Sequence, residues 1–438
     1  MMIETPYTTM NSGYELWLSY RLLQEPLRSQ WAATAAYCVA LGSSAILESV
    51  RSELKRALPA LLGEVLHTEI ESARLIVGTS DDLQKSSYAL DKDTLGCVPE
   101  SGEGWLIHRD PDNRLYVVSH GERGVLYGVF ALLRMMQTGT PVPEKNITDS
   151  PALNLRVLNH WDNPDGSIER GYAGQSIWQW EDLPGKVDSR YTDYARACAS
   201  IGINTSVLNN VNAAPEIITI AYLEKVAKIA DVLRQWGITT MLSVSFGSPM
   251  ILGGLKTADP LDSKVAAWWQ AKAAEIYRLI PDFGGFVVKA DSEGQPGPYQ
   301  YGRTHADGAN MLADALQPHG GILIWRAFVY GHGEADRHKK AYADFVPHDG
   351  SFRENAIVQV KNGAIDFQPR EPFHPLFGSM PNTNMFMEFQ VTQEYLGQGN
   401  HVVYLGPMWQ EILQFDTHAH GPGSSVGSLL TRGAPGSR

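Results

Sequence analysis

Six charged residues in this chain are spaced so that they could share one site. Three are carboxylates, Glu293, Asp366 and Glu394, and three are cations, Lys289, Arg326 and Lys361. Most of them stand at or just past the end of an apolar run: FGGFVVKA closes on Lys289, GILIWRAFV carries Arg326, and AIVQVK closes on Lys361. Desolvating a charge costs free energy, so charges crowded at the ends of buried runs need a reason. Carboxylates facing each other across a pocket are what glycoside hydrolysis requires, one protonated for the leaving group and another to activate water or attack carbon. Lys and Arg beside them pair with carboxylates in dry pockets, so the sugar itself would carry a carboxylate. Trp161, in NHWDN, offers an aromatic face to a sugar ring. Each residue taken singly has a plainer explanation, such as a solvated loop charge, a surface ion pair worth little, or a core anchor. The functional reading rests on convergence.

Convergence requires a scaffold. Apolar strand-like runs occur at 153–161, 203–211, 239–246, 283–290, 321–329, 356–361 and 384–391. Between most of them lie helical patterns, at 189–202, 223–237, 263–280 and 308–318. Strand and helix alternating in this way predict right-handed βαβ units around a parallel sheet. Long Gly-, Pro- and charge-rich loops follow the strands, and in a (β/α)8 barrel such loops form the active face. A doubly wound open sheet competes, but no Gly-rich dinucleotide fingerprint follows any strand. Seven strands are countable. HVVYLGPM at 401–408 follows the seventh too closely for a parallel crossover, which needs a dozen residues or more. The barrel is therefore expected to be incomplete, its last strand missing.

Ahead of it, residues 1–145 read as a separate α/β module. It holds a strand at 73–80, a hairpin at 103–120 turning at PDN, and an apolar helix at 123–139. The stretch 145–154 reads as a polar join, and 146–438 as the barrel. A length of 438 residues agrees with two domains of roughly 100–250 residues and more. Hydrophobic residues make up 43% and charged residues 19%, as in ordinary globular proteins. The net charge of −12 argues against a nucleic-acid partner and makes an anionic substrate dependent on a local basic pocket. The three cysteines, Cys38, Cys97 and Cys198, show no metal-ligand spacing and read as reduced thiols. No stretch approaches a membrane span, and the N-terminus lacks the pattern of a signal peptide, so a cytoplasmic location is expected.

The segment NHWDNPDGSIERGYAGQSIW (159–178) resembles the glycoside hydrolases of family 67, the α-glucuronidases of xylan breakdown. The likeness extends through 287–313, DFQPREPFHPLFG (366–378) and 389–417, and GVLYGVFALLR (124–134) is similar to the family's N-terminal module. The resemblance implies an N-terminal α/β module, a (β/α)8 barrel and a C-terminal, mostly helical domain that supports dimerisation. It implies inverting hydrolysis of the α-1,2 bond between (4-O-methyl-)D-glucuronic acid and the non-reducing terminal xylose of a xylooligosaccharide. No metal or organic cofactor is implied. Residue by residue, it implies Glu293 as general acid and Asp366 and Glu394 as the pair that activates water. Lys289, Arg326 and Lys361 become the clamp on the uronate carboxylate, Trp161 a flank of the sugar, and Val211 a neighbour of the 4-O-methyl group. Glu293 is then expected to have a raised pKa. The family's C-terminal domain is not recognisable here, so the alternative is a catalytically impaired, carbohydrate-binding remnant. A barrel hexosaminidase is disfavoured by the three cations.

Overall fold

The computed structural model describes residues 12–329, 336–368, 370–391 and 403–432. The chain divides into two compact units. One holds the residues up to Arg156 together with Asp188–Asn204 and Asp231–Ile238; the other holds Val157–Val187, Thr205–Ala230 and Thr239 onward.

In the first unit, strands β1 (Cys38–Ala40), β2 (Leu75–Thr79), β3 (Trp105–Arg109), β4 (Leu115–Ser119) and β5 (Ile147–Asp149) form a sheet of order β1-β2-β4-β3-β5. The pairs β1–β2 and β2–β4 are parallel, while β3 runs antiparallel to both its neighbours. The β3–β4 hairpin turns where the sequence predicts, with Asn113 at φ 64° and Asp110 Oδ1 accepting from Arg114 N. The helix Glu122–Gln137 is buried along most of its length, as its nearly all-round apolar sequence requires. One expectation is corrected. The segment read as a polar join contributes β5, whose alternation of Ile147 with polar neighbours suits an edge strand.

The second unit is built on seven parallel strands: β6 (Val157–Asn159), β7 (Thr205–Val207), β8 (Thr239–Ser243), β9 (Gly285–Val288), β10 (Ile322–Arg326), β11 (Ala356–Lys361) and β12 (Met385–Glu388). All seven fall inside the runs read from sequence. Their spatial order is their sequence order. A doubly wound sheet must reverse order at a switch point; this sheet does not. Residues from six strands, Val157, Val207, Val287, Ile324, Gln359 and Phe386, line one cavity of about 780 Å³. The sheet therefore curls around its own inner face, as a barrel wall does. Helices Ser263–Leu279, His305–Leu316 and Arg337–Phe345 follow β8, β9 and β10. On the outer face, buried Trp269 meets Phe286 edge-on at 5.8 Å, and burying such a ring contributes about 1.5–3 kcal/mol. The segment 401–408 is not a strand where it is described, since Gly406–Gln414 is a helix.

Candidate active site

Side chains on a strand alternate between faces with period two. Val287, Ile324 and Gln359 line the inner cavity, and two residues beyond each stands a cation: Lys289, Arg326 and Lys361. Three adjacent strands thus deliver three positive charges to one face at their carboxyl ends. All three side chains are buried, at 2%, 2% and 5% exposure. They meet around Phe328. The Lys361 Nζ lies 3.2 Å from its ring centroid, the Lys289 Nζ 5.6 Å and the Arg326 Cζ 5.8 Å.

Each cation has a carboxylate partner. Lys289 pairs with Glu293, Lys361 with Asp366, and Arg326 Nη2 with Glu388 at 2.7 Å. Lys289 also donates to Asn212 Oδ1 at 2.7 Å, which joins the β7 loop to the β9 loop. Arg326 Nε, buried, has no hydrogen-bond partner among the described residues. Burial lowers the Lys289 pKa. Burial, reinforced by the charge of Arg326, brings Lys361 down to about 8 against the opposing pull of Asp366 and Glu388.

Glu293 departs from expectation. Its side chain is 30% exposed and sits between Lys289 and Arg170, the latter at 3.2 Å. Partial burial pushes its pKa up, but Lys289, then Arg170 and Lys361, outweigh burial and hold it below the ordinary carboxylate value. Glu293 is thus held ionised between two cations, against the raised pKa expected from sequence.

The loop carrying Asp366 is organised by Glu371. Its carboxylate accepts from the backbone N–H groups of Ile365 (2.8 Å), Asp366 (2.9 Å) and Gln368 (2.9 Å). The β6 loop is pinned to the β7 loop by Asn210, whose side chain donates to Asn163 Oδ1 at 3.1 Å and to the Glu169 carbonyl at 3.3 Å. Trp161, half-buried in that loop, lines the cavity with Tyr172 and Phe389. Val211 is buried at 4% exposure beside Asn212 and is not among the cavity-lining residues. Glu394 lies outside the described residues. Of the eight non-glycine residues with positive φ among those described, five belong to these loops: Glu169, Asp291, Glu293, Phe367 and Arg370. Such backbone costs about 1–3 kcal/mol per residue and gathers where side chains must be aimed.

Glu388, Glu371, Arg170 and Phe328 were not singled out from sequence. Glu388 carried a legible signal, since it lies opposite Lys361 on a strand already recognised. The others are loop residues whose partners are set only by tertiary contact. Among the described residues, no group of three or more His, Cys, Asp or Glu side chains could hold a metal ion, and no helix is long and apolar enough to cross a membrane.

Two solved structures resemble the fold at low identity. An inactive mutant of a family 20 exo-β-N-acetylglucosaminidase from Vibrio harveyi aligns with a TM-score of 0.50 at 11% identity, covering 90% of this chain and 64% of its own. CpGH84B aligns at 0.52 and 14%, covering 82% and 59%. These show fold alone. Sequence relatives are nearer. The chain is 46% identical over 328 residues to alpha-glucuronidase A of Emericella nidulans (72% of this chain, 39% of that protein). It is 39% identical over 441 residues to alpha-glucuronidase of Hypocrea jecorina (96% and 51%). It is 41% identical over 438 residues to probable alpha-glucuronidase A of Neosartorya fischeri (96% and 51%). The chain thus spans about two-fifths to half the length of these relatives. Residues 16–132 match the glycosyl hydrolase family 67 N-terminus, and residues 135–437 match the glycosyl hydrolase family 67 middle domain. With these two matches together spanning nearly the whole chain and the sheet and loops described above, the chain belongs to glycoside hydrolase family 67.

Proposed function

We propose that this chain carries the active site of an inverting α-glucuronidase. Its substrates are small acidic xylooligosaccharides (aldouronic acids), and the bond cleaved is the α-1,2 linkage between (4-O-methyl-)D-glucuronic acid and the non-reducing terminal xylose. The seven strands are the larger part of a (β/α)8 barrel. The observation that carries the reading is the cluster of Lys289, Arg326 and Lys361, buried together at the ends of three adjacent strands and paired with Glu293 and Asp366. Such a cluster suits a sugar carboxylate, and the two carboxylates paired with it suit acid and base roles at the adjoining bond.

In this reading Glu293 protonates the xylose oxygen as it leaves. Asp366, with Glu394, deprotonates the water that attacks the anomeric carbon from the opposite face. Lys289, Arg326 and Lys361 hold the uronate, Trp161 flanks the ring, and Val211 lies toward the 4-O-methyl group. The depressed pKa of Glu293 without substrate fits this role once substrate is bound. A bound uronate shares the positive charge of Lys289, so the carboxyl of Glu293 regains its proton.

Proton NMR of the chain mixed with 4-O-methylglucuronosyl xylotriose, followed from the first minutes, tests the reading. The β-anomer of free 4-O-methylglucuronic acid is expected first. The α-anomer first would overturn inversion, and binding without turnover would favour a carbohydrate-binding remnant.

A further inference from the structure

An anion clamp faces a physical conflict. Three like charges in a dry pocket repel one another, yet every fixed carboxylate that satisfies them competes with the anion they are meant to bind. Phe328 bears on this conflict. Its ring, partly exposed just past β10, is the common neighbour of all three cations, each within the roughly 6 Å over which an aromatic face attracts a cation. Lys361 has a second ring, Phe367, 4.7 Å from its Nζ. Phe367 is 4% exposed and held at φ 58°, a conformation costly for a residue with a β-carbon. A ring face stabilises positive charge without introducing another anion.

We infer that Phe328, seconded by Phe367 at Lys361, is a positioning residue for the clamp and sets its affinity for the carboxylate of an acidic sugar. The inference rests on the uronate reading above. Phe328 touches the cations rather than the reacting bond. Its loss should therefore weaken binding of the anion and leave the chemical step of bound substrate nearly unchanged.

The test is calorimetric titration of the folded chain with sodium D-glucuronate, for wild type, Phe328→Leu, Phe328→Met and Phe328→Tyr, alongside kcat and KM on 4-O-methylglucuronosyl xylotriose. Leu and Met remove the π face while keeping apolar bulk, and either suffices if the other fails to fold. The expected result is an affinity about tenfold weaker for Leu or Met, kcat within twofold, and Tyr within twofold of wild type throughout. Equal weakening by Tyr would mean that shape, not the ring face, matters, and would overturn the inference. So would unchanged or tighter binding by Leu or Met, the latter meaning that the ring obstructs the anion site. Failure of wild type to bind glucuronate would overturn the uronate reading and this inference with it. Binding by wild type with no difference among the variants would overturn this inference alone.

Discussion

As the proposed general acid, Glu293 must be neutral to donate a proton, yet Lys289 and Arg170 hold it ionised. The conflict makes two predictions. Glu293→Ala should lower turnover of natural aldouronic substrates by about 10²–10⁴-fold while partly sparing aryl glucuronides with good leaving groups. Equal loss on both would sink the acid assignment. The second concerns pH. The acid form of Glu293 is depleted as pH rises through its pKa, and that pKa is depressed in the free protein. In the proposed complex, bound uronate raises it. Since kcat/KM reports the free enzyme and kcat the complex, the alkaline fall of kcat should lie at higher pH than that of kcat/KM. Coincident limbs would show that substrate does not relieve Lys289 from Glu293.

At the scale of elements, the strands fix the cations while the loops fix Glu293 and Asp366, and the two are held differently. Lys289, Arg326 and Lys361 ride on ladder-bonded backbone or one residue beyond it. Asp366 depends on a loop whose N–H groups converge on Glu371. Glu371→Ala leaves those donors without their carboxylate, at about 1–3 kcal/mol each where they stay dry. The expected outcome is a kcat at least tenfold lower with glucuronate affinity little changed, and partial recovery in Glu371→Gln, which keeps one acceptor oxygen. Loss of affinity with kcat intact would place Glu371 on the clamp instead. Within the sheet, Gly285 opens β9 at φ 129°, and a β-carbon there would lie 1.9 Å from the Ile322 carbonyl oxygen. Gly285→Ala should therefore cost at least about 2 kcal/mol in urea unfolding, because the β9–β10 pairing must shift. A neutral substitution would mean that the strand tolerates a different path.

At the scale of the whole molecule, sequence-distant segments are tied by a few buried polar contacts. Arg196 Nε and Nη2 bind the Glu53 carboxylate at 2.6 and 2.8 Å, with both side chains almost fully buried and Tyr20 donating to the same carboxylate. The two residues are 143 positions apart. Removing one partner of such a pair strands a buried charge. Glu53→Ala should thus destabilise by about 3–5 kcal/mol in thermal or urea unfolding, without any residue of the candidate site being touched. A change under 1 kcal/mol would mean that water reaches the pair. The net charge of −12 acts at the same scale. It would oppose the proposed anionic sugar at long range, and in that reading the buried trio of cations supplies the local attraction.

Much of this was legible in the chain itself. Hydrophobic period and length marked all seven strands of the second unit, because a buried parallel strand has no alternative but to be apolar. The motif V-x-K at 287–289, with its counterparts I-x-R at 324–326 and Q-x-K at 359–361, already carried the inward facing of the three cations, since period two is local geometry. Family membership was readable from long, ungapped motifs. What the sequence could not state is which charge faces which. That Glu293 lies between two cations, that Glu371 rather than a turn motif holds Asp366, that Glu388 completes Arg326, and that one ring sits among three cations all depend on side chains the fold brings together from different strands and loops, as Arg326 and Glu388 are from 62 positions apart, or on loops bent by left-handed backbone. Local propensity specifies the direction in which a strand residue points. Coulomb energy and desolvation, summed over neighbours that only the folded chain assembles, decide its protonation state.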